Sequence, residues 1–158
     1  MECMTLKPIF KHLFNLVLLC VFSTSALAEI VVKDGFVRAM PPVSPNTAAY
    51  FTLINHGDAN ELISVSTPVA REAQLHTLVT ENDVVKMRQV NGFPVEAHGM
   101  LMLGERGDHI MLLGLHAPLV EGEMVAFELT FKSGEIVKIS LPVSKVSVAA
   151  DDHHHHHH

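Results

Sequence analysis

Residues 71–90 read REAQLHTLVTENDVVKMRQV, which is two apolar, β-branched runs on either side of a polar Glu-Asn-Asp turn. Runs of this length and composition are typical of β-strands, and the turn between them predicts a hairpin. If residues 80–83 form a four-residue loop, His76 lies directly opposite Met87. Directly opposed residues on antiparallel strands point to the same face, so we expect these two side chains to be neighbours.

The rest of the chain repeats this alternation of short apolar runs and turn residues. Seven further strands are predicted, at residues 31–39, 47–55, 61–67, 100–103, 109–115, 124–131 and 136–143. No stretch has a helical period with capping residues at both ends. Many short strands in one domain's length of chain predict a single all-β domain, either an antiparallel sandwich or a small barrel.

The first 28 residues have the features of a cleaved signal peptide. Two lysines precede a short apolar core, and a small-x-small site ends at Ala28. Because the apolar core is too short to span a bilayer, we expect cleavage after Ala28, a periplasmic protein and no membrane insertion after cleavage. Lipid attachment at Cys20 is disfavoured, since bulky Leu19 occupies a position that normally needs a small residue.

Residues 29–150 then form the predicted domain, and residues 151–158 a tail whose six terminal histidines are typical of an affinity tag. Both cysteines, Cys3 and Cys20, lie in the predicted leader. The domain therefore has no disulfide, thiolate zinc site, Cys nucleophile or Cys ligand of the blue-copper type. The net charge of the chain, −6, argues against nucleic acid as a partner.

Two His-Met pairs are the most informative chemical feature of the domain. His76, Met87, His109 and Met111 follow the spacing H-x(10)-M-x(21)-H-x-M. Thioether sulfur binds hard cations poorly and suits monovalent copper, while imidazole accepts copper in either oxidation state. His109 and Met111 are two residues apart on one predicted strand and so share a face. Two same-face pairs are expected to form a four-ligand Cu(I) site.

Each of these residues also has a plain structural interpretation. Met111 and Met87 could be core residues, and a lone His on a strand is more often exposed than a ligand. The repetition of the pair favours a metal site. Four more residues are auxiliary candidates for copper contact, with packing or solvent exposure as the alternative: Met40, His98, Met100 and Met102. His56 and His116 are expected to be solvated.

Three stretches make the chain resemble the PCuAC family of periplasmic copper chaperones. They are VRAMPPVSPNTAAYFTLIN at 37–55, LHTLVTENDVVKMRQV at 75–90 and HIMLLGLHAPLVEGE at 109–123. The family's ligand motif is matched at every required position, so the resemblance implies a copper role for the two His-Met pairs. It also implies a cupredoxin-like Greek-key β-barrel.

We therefore predict a monomeric, non-enzymatic Cu(I) carrier that delivers copper by ligand exchange. The resemblance implies a copper acceptor such as the CuA centre of cytochrome c oxidase or a Sco-type thiol protein. Copper buffering or tolerance is the open alternative, followed by a β-sandwich interaction module without metal. An electron-transfer cupredoxin would share the fold, but the lack of Cys in residues 29–150 argues against it.

Overall fold

The computed structural model describes residues 30–145 and contains strands only. The ten strands are β1 (Ile30–Arg38), β2 (Asn46–Asn55), β3 (Asn60–Ser66), β4 (Ala70–Glu81), β5 (Val84–Gln89), β6 (Phe93–Val95), β7 (Met100–Leu103), β8 (His109–Leu115), β9 (Met124–Phe131) and β10 (Ile136–Ser144). The all-β prediction is confirmed. The predicted leader with Cys20, the cleavage after Ala28 and the tail at 151–158 lie outside the described residues.

The strands form one hydrogen-bonded path in the order β5-β4-β8-β2-β1-β10-β9-β3-β6, with β7 paired to β2. The link between the two halves is the parallel pair β1–β10, and every other described pair is antiparallel. The strand β6 is absent from the sequence prediction. It has three residues with Pro94 at its centre, and proline confines a strand to a sheet edge and weakens its sequence signal.

The two halves pack face to face around one apolar core. In β9 every second residue is buried, and buried residues of β2, β3 and β8 belong to the same core. Fully buried members with the largest side chains include Phe51, Leu62, Ile110, Phe127 and Phe131. Burial of this apolar surface is the main force holding the sandwich together. No helix in residues 30–145 is long and apolar enough to cross a membrane.

The outer face of the first half carries a second, smaller apolar cluster. Phe36, Ala48 and Tyr50 are buried there, and Met111 packs against them. Their strand neighbours Val37, Ala49 and Ile110 point the other way, into the main core. The strands β1, β2 and β8 are therefore apolar on both faces, so period-2 alternation in the sequence could not reveal which residues face outward.

The hairpin of β4 and β5 has a different register from the one predicted. Glu81 pairs with Val84, which leaves a two-residue turn of Asn82 and Asp83. Both turn residues have positive φ, 52° and 62°, as a type I′ turn requires. Such a turn matches the twist of the flanking strands better than the predicted four-residue loop. The prediction that Met87 lies directly opposite His76 is wrong.

A shift of two positions keeps every side chain on its predicted face. Met87 pairs with Leu78, and His76 pairs with Gln89. Because side chains alternate with a period of two, Met87 still lies on the same face as His76. It is now a diagonal neighbour of His76, since its direct partner Leu78 is two residues further along β4. The opposite face carries the charges, since Lys86 and Arg88 both form ion pairs with Glu81 there.

Candidate metal centre

The two predicted histidine ligands come together on neighbouring strands. The pairing of β4 with β8 places His76 directly opposite His109, with ring centroids 5.9 Å apart and ring planes at 59°. These two residues are 33 positions apart in the chain. The sequence indicated two His-Met pairs, but the two residues that lie directly opposite each other on paired strands are the histidines.

The two methionines flank this pair on the same outer face. Met111 lies two residues beyond His109 on β8 and opposite Gln74, while Met87 approaches from the edge strand β5. A surface depression of about 230 Å³ is lined by His109, Met87 and Met111 together. The ring of His76 does not line this depression but packs beside it, against His109. All four predicted residues therefore occupy one region of one face.

His109 forms the buried part of this region. Its side chain is only 4% exposed, and its Nδ1 lies 2.8 Å from the carbonyl oxygen of Gly107. A carbonyl oxygen only accepts, so Nδ1 carries the proton and Nε2 keeps a free lone pair. A hydrogen bond of this kind fixes the tautomer and orientation of a metal-binding histidine. Tyr50 packs against the ring at a centroid distance of 6.3 Å.

His76 also has one ring nitrogen hydrogen-bonded, but in this residue it is Nε2, and Nδ1 is free. Its Nε2 lies 2.9 Å from the amide oxygen of Gln74 and donates to it. Within the described part of the chain, its Nδ1 is the one buried side-chain polar atom without a hydrogen-bond partner. Leaving such a group unpaired costs about 1–3 kcal/mol, a cost that a coordinated ion would remove.

The electrostatics of the site favour a neutral imidazole at His76. Burial lowers the pKa of His76 below its ordinary value, and repulsion by His109 lowers it further. A neutral ring is the form that coordinates a metal. The pair of uncharged nitrogen donors beside two thioethers is a low-charge donor set, which suits a soft monovalent ion better than a hard divalent one.

A polar wall closes one side of the depression. The guanidinium of Arg38 lies 2.6 Å from a carboxylate oxygen of Glu105, and its Cζ lies 5.3 Å from the centre of the Tyr50 ring. The hydrogen bond with Glu105 raises the pKa of Arg38. Burial raises the pKa of Tyr50, so the phenol stays uncharged. The ion pair brings no net charge to the site.

These wall residues are not among the site residues predicted from the sequence. Tyr50 is the only tyrosine of the chain, but it lies in a strand that is buried on both faces and has no distinguishing pattern. Arg38 and Glu105 are far apart in sequence, and nothing in their local patterns pairs them. The one available signal was the run VRAMPP, in which a charged residue ends β1 and two prolines follow it.

The auxiliary candidates separate into two groups. Met40 lines the same depression as the motif residues. Met100 and Met102 lie on β7 opposite Ile54 and Thr52, are more than half exposed and do not line it. His98 is exposed in a turn, and His56 and His116 are exposed as predicted. In residues 30–145 no three His, Cys, Asp or Glu side chains are grouped to hold a metal.

The fold and the site together define a small β-sandwich domain with a His-Met cluster on the outer face of one sheet. The chain belongs to the LpqE-like family, whose sequence model, described as "Putative lipoprotein LpqE-like", matches residues 30–143. A relative from Leifsonia xyli subsp. xyli, "Putative lipoprotein Lxx21020", is 33% identical over 122 residues, which cover 76% of this chain and 72% of the relative.

Two solved structures extend the comparison to the fold. The Cu(I) form of DR1885 from Deinococcus radiodurans is 34% identical, with 77% of this chain and 82% of that chain covered and a TM-score of 0.62. The copper-bound PCuAC domain from PmoF2 covers 75% of this chain and 94% of its own, at 18% identity and a TM-score of 0.63. The predicted resemblance to PCuAC domains and the predicted cupredoxin-like fold are confirmed.

Proposed function

We propose that the protein binds one Cu(I) ion through His76, His109, Met87 and Met111, and passes it to a partner by ligand exchange. The observation that carries the proposal is the direct opposition of two imidazoles, each with one ring nitrogen already hydrogen-bonded, beside two thioethers on the same face. The Cu(I)-bound structure of DR1885, 34% identical to this chain, supports it.

The proposed ligands differ in solvent exposure, and this difference fits ion transfer. His109 is buried and held by Gly107, whereas the side chain of Met87 is 49% exposed on an edge strand. An incoming donor can reach Met87 without displacing any part of the core. Met87 is therefore the ligand that leaves first, while His109 and Met111 hold the ion until the acceptor has bound it.

The depression leaves room for the acceptor's own ligand. Its volume of about 230 Å³ exceeds that of an ion and is several times the roughly 30 Å³ that one water molecule occupies in the liquid. Neutral donors hold Cu(I) without the additional attraction of a thiolate. Transfer to a thiolate-rich acceptor, such as the CuA centre of cytochrome c oxidase or a Sco-type protein, would therefore proceed downhill.

A transfer assay tests this function. The copper-loaded protein, ending at Ala150 to remove the terminal histidines, is mixed with an apo CuA domain or an apo Sco-type protein and a competing Cu(I) chelator. We expect the acceptor to gain copper faster than the chelator does. If copper reaches both at the rate of its spontaneous release, the protein is a copper buffer instead, which is the second candidate function.

We also propose that the protein acts outside the cytoplasm, as a non-enzymatic carrier. Both the family and the Leifsonia relative are described as lipoproteins, which supports export. The mass of the mature protein distinguishes two routes. A start at Glu29 indicates simple cleavage after Ala28, and an acylated Cys20 at the new N-terminus indicates a lipid anchor.

A further inference from the structure

Met40 places a third thioether at the edge of the proposed copper site. It lines the depression together with Met87, His109 and Met111, although it lies outside the spaced motif. Met40 is exposed, at 38%, as expected for a residue at the rim of a site and not for one of the core. Singly exposed apolar side chains are common on protein surfaces. The depression that Met40 shares with Met87 and Met111, and not its exposure, therefore points to a role in metal binding.

The backbone around Met40 holds it beside the depression. The amide of the preceding residue, Ala39, donates to the carbonyl oxygen of Ser144 at the end of β10, at 2.8 Å. The following turn is closed by a hydrogen bond of 2.9 Å from the amide of Ser44 to the carbonyl oxygen of Pro41. The residue is thus anchored on both sides, while its unbranched side chain keeps its rotational freedom.

The sheet order places Met40 and Met87 on opposite sides of the site. Met87 belongs to β5, at one end of the path β5-β4-β8-β2-β1, and Met40 follows β1 at the other end. Between them, Ala48 of β2 lies opposite Met111. A methyl group at that position leaves the space above the sheet open, so long side chains from both sides reach the same depression.

We propose that Met40 is an exchange ligand, a third thioether that binds Cu(I) in place of Met87 when Met87 is displaced or missing. The inference rests on the proposed function of copper transfer. Without Met40, departure of Met87 would leave the ion with one sulfur and two nitrogens. With Met40 in place the ion keeps two sulfurs throughout, which maintains the preference for the monovalent state during transfer.

The test counts the sulfur ligands of Cu(I) by X-ray absorption in a set of Met→Leu variants. Leucine conserves volume, and such swaps usually cost less than about 1.5 kcal/mol, so the variants should fold. We expect two Cu–S contacts in the wild type, two in Met87→Leu and one in the double variant Met40→Leu/Met87→Leu. Copper affinity of the double variant should fall on the order of tenfold below that of Met87→Leu, the scale on which supporting groups affect metal sites.

Met102 provides the matched control. It is 69% exposed on the same outer face but does not line the depression. Met102→Leu/Met87→Leu should keep two Cu–S contacts and the affinity of Met87→Leu alone. One Cu–S contact in Met87→Leu would overturn the role of Met40 and leave the proposed function intact. A wild-type protein that takes up no Cu(I) would overturn both.

Discussion

His76 and His109 lie directly opposite one another on β4 and β8, and each has one ring nitrogen hydrogen-bonded and the other free. Because they form the last residue pair of the ladder between these strands, the distance between the imidazoles is set by the sheet itself and not by a flexible loop. Sites built on strands hold their ligands more rigidly than sites on loops. The exchangeable part of the proposed site is accordingly on its edges, at Met87 and Met40.

The first prediction concerns metal selectivity. The protein ending at Ala150 should bind one Cu(I) ion more tightly than Cu(II) or Zn(II), because two of its four donors are thioethers that bind hard divalent ions poorly. Competition titrations with chelators specific for each ion measure this. Equal retention of Zn(II) would mean that the methionines do not coordinate.

The second prediction separates the roles of Met111 and Met87. Met111 packs against Phe36, Ala48 and Tyr50, so Met111→Leu should lower the free energy of unfolding slightly, by less than about 1.5 kcal/mol. Met87 is half exposed, and Met87→Leu should leave stability unchanged. Both changes should weaken copper binding, but only Met87→Leu should leave the apo protein with a wild-type denaturation curve. Urea titrations of both apo variants distinguish them.

The third prediction is a pH dependence of apo stability that arises from His76. Its folded-state pKa is lowered, so between that value and the unfolded value of about 6.5 the unfolded chain binds more protons than the folded one. Stability should therefore fall as the pH drops from about 6.5 through the lowered pKa. Above 6.5 the imidazole is neutral in both states and the effect is absent.

The variant His76→Asn should flatten this part of the pH profile, as measured by denaturant titrations at several pH values. Copper affinity should also decline as the pH falls, because a protonated imidazole cannot coordinate the metal. An unchanged profile in His76→Asn would assign the pH dependence to another group.

The fourth prediction tests the register of the hairpin. Asp83 has a φ of 62°, a conformation that costs a residue with a Cβ atom about 1–2 kcal/mol and glycine essentially nothing. Asp83→Gly should therefore raise the free energy of unfolding, and Asp83→Val should lower it. Nuclear Overhauser contacts should connect the α-protons of β4 and β5 in the register of Leu78 with Met87. Contacts between the α-protons of His76 and Met87 would instead indicate the four-residue loop.

Local physical rules explain why the strand content and the ligand set could be read from the sequence. Side-chain alternation and turn chemistry depend on neighbouring residues only, so they correctly put His76 and Met87 on one face, and His109 and Met111 on one face. The turn type was misjudged, because two non-glycine residues with positive φ are uncommon and the sequence Asn82-Asp83 lacks the glycine that usually marks such a turn.

The sequence by itself determined the all-β class and the chemical nature of the donors, since thioether and imidazole chemistry is a property of the residues alone. Only the tertiary structure decided which donors meet. The opposition of His76 to His109, the wall of Arg38 and Glu105, and the presence of Met40 in the depression depend on pairings between strands far apart in the chain. Such pairings are fixed by the packing of the whole core, which no local pattern records.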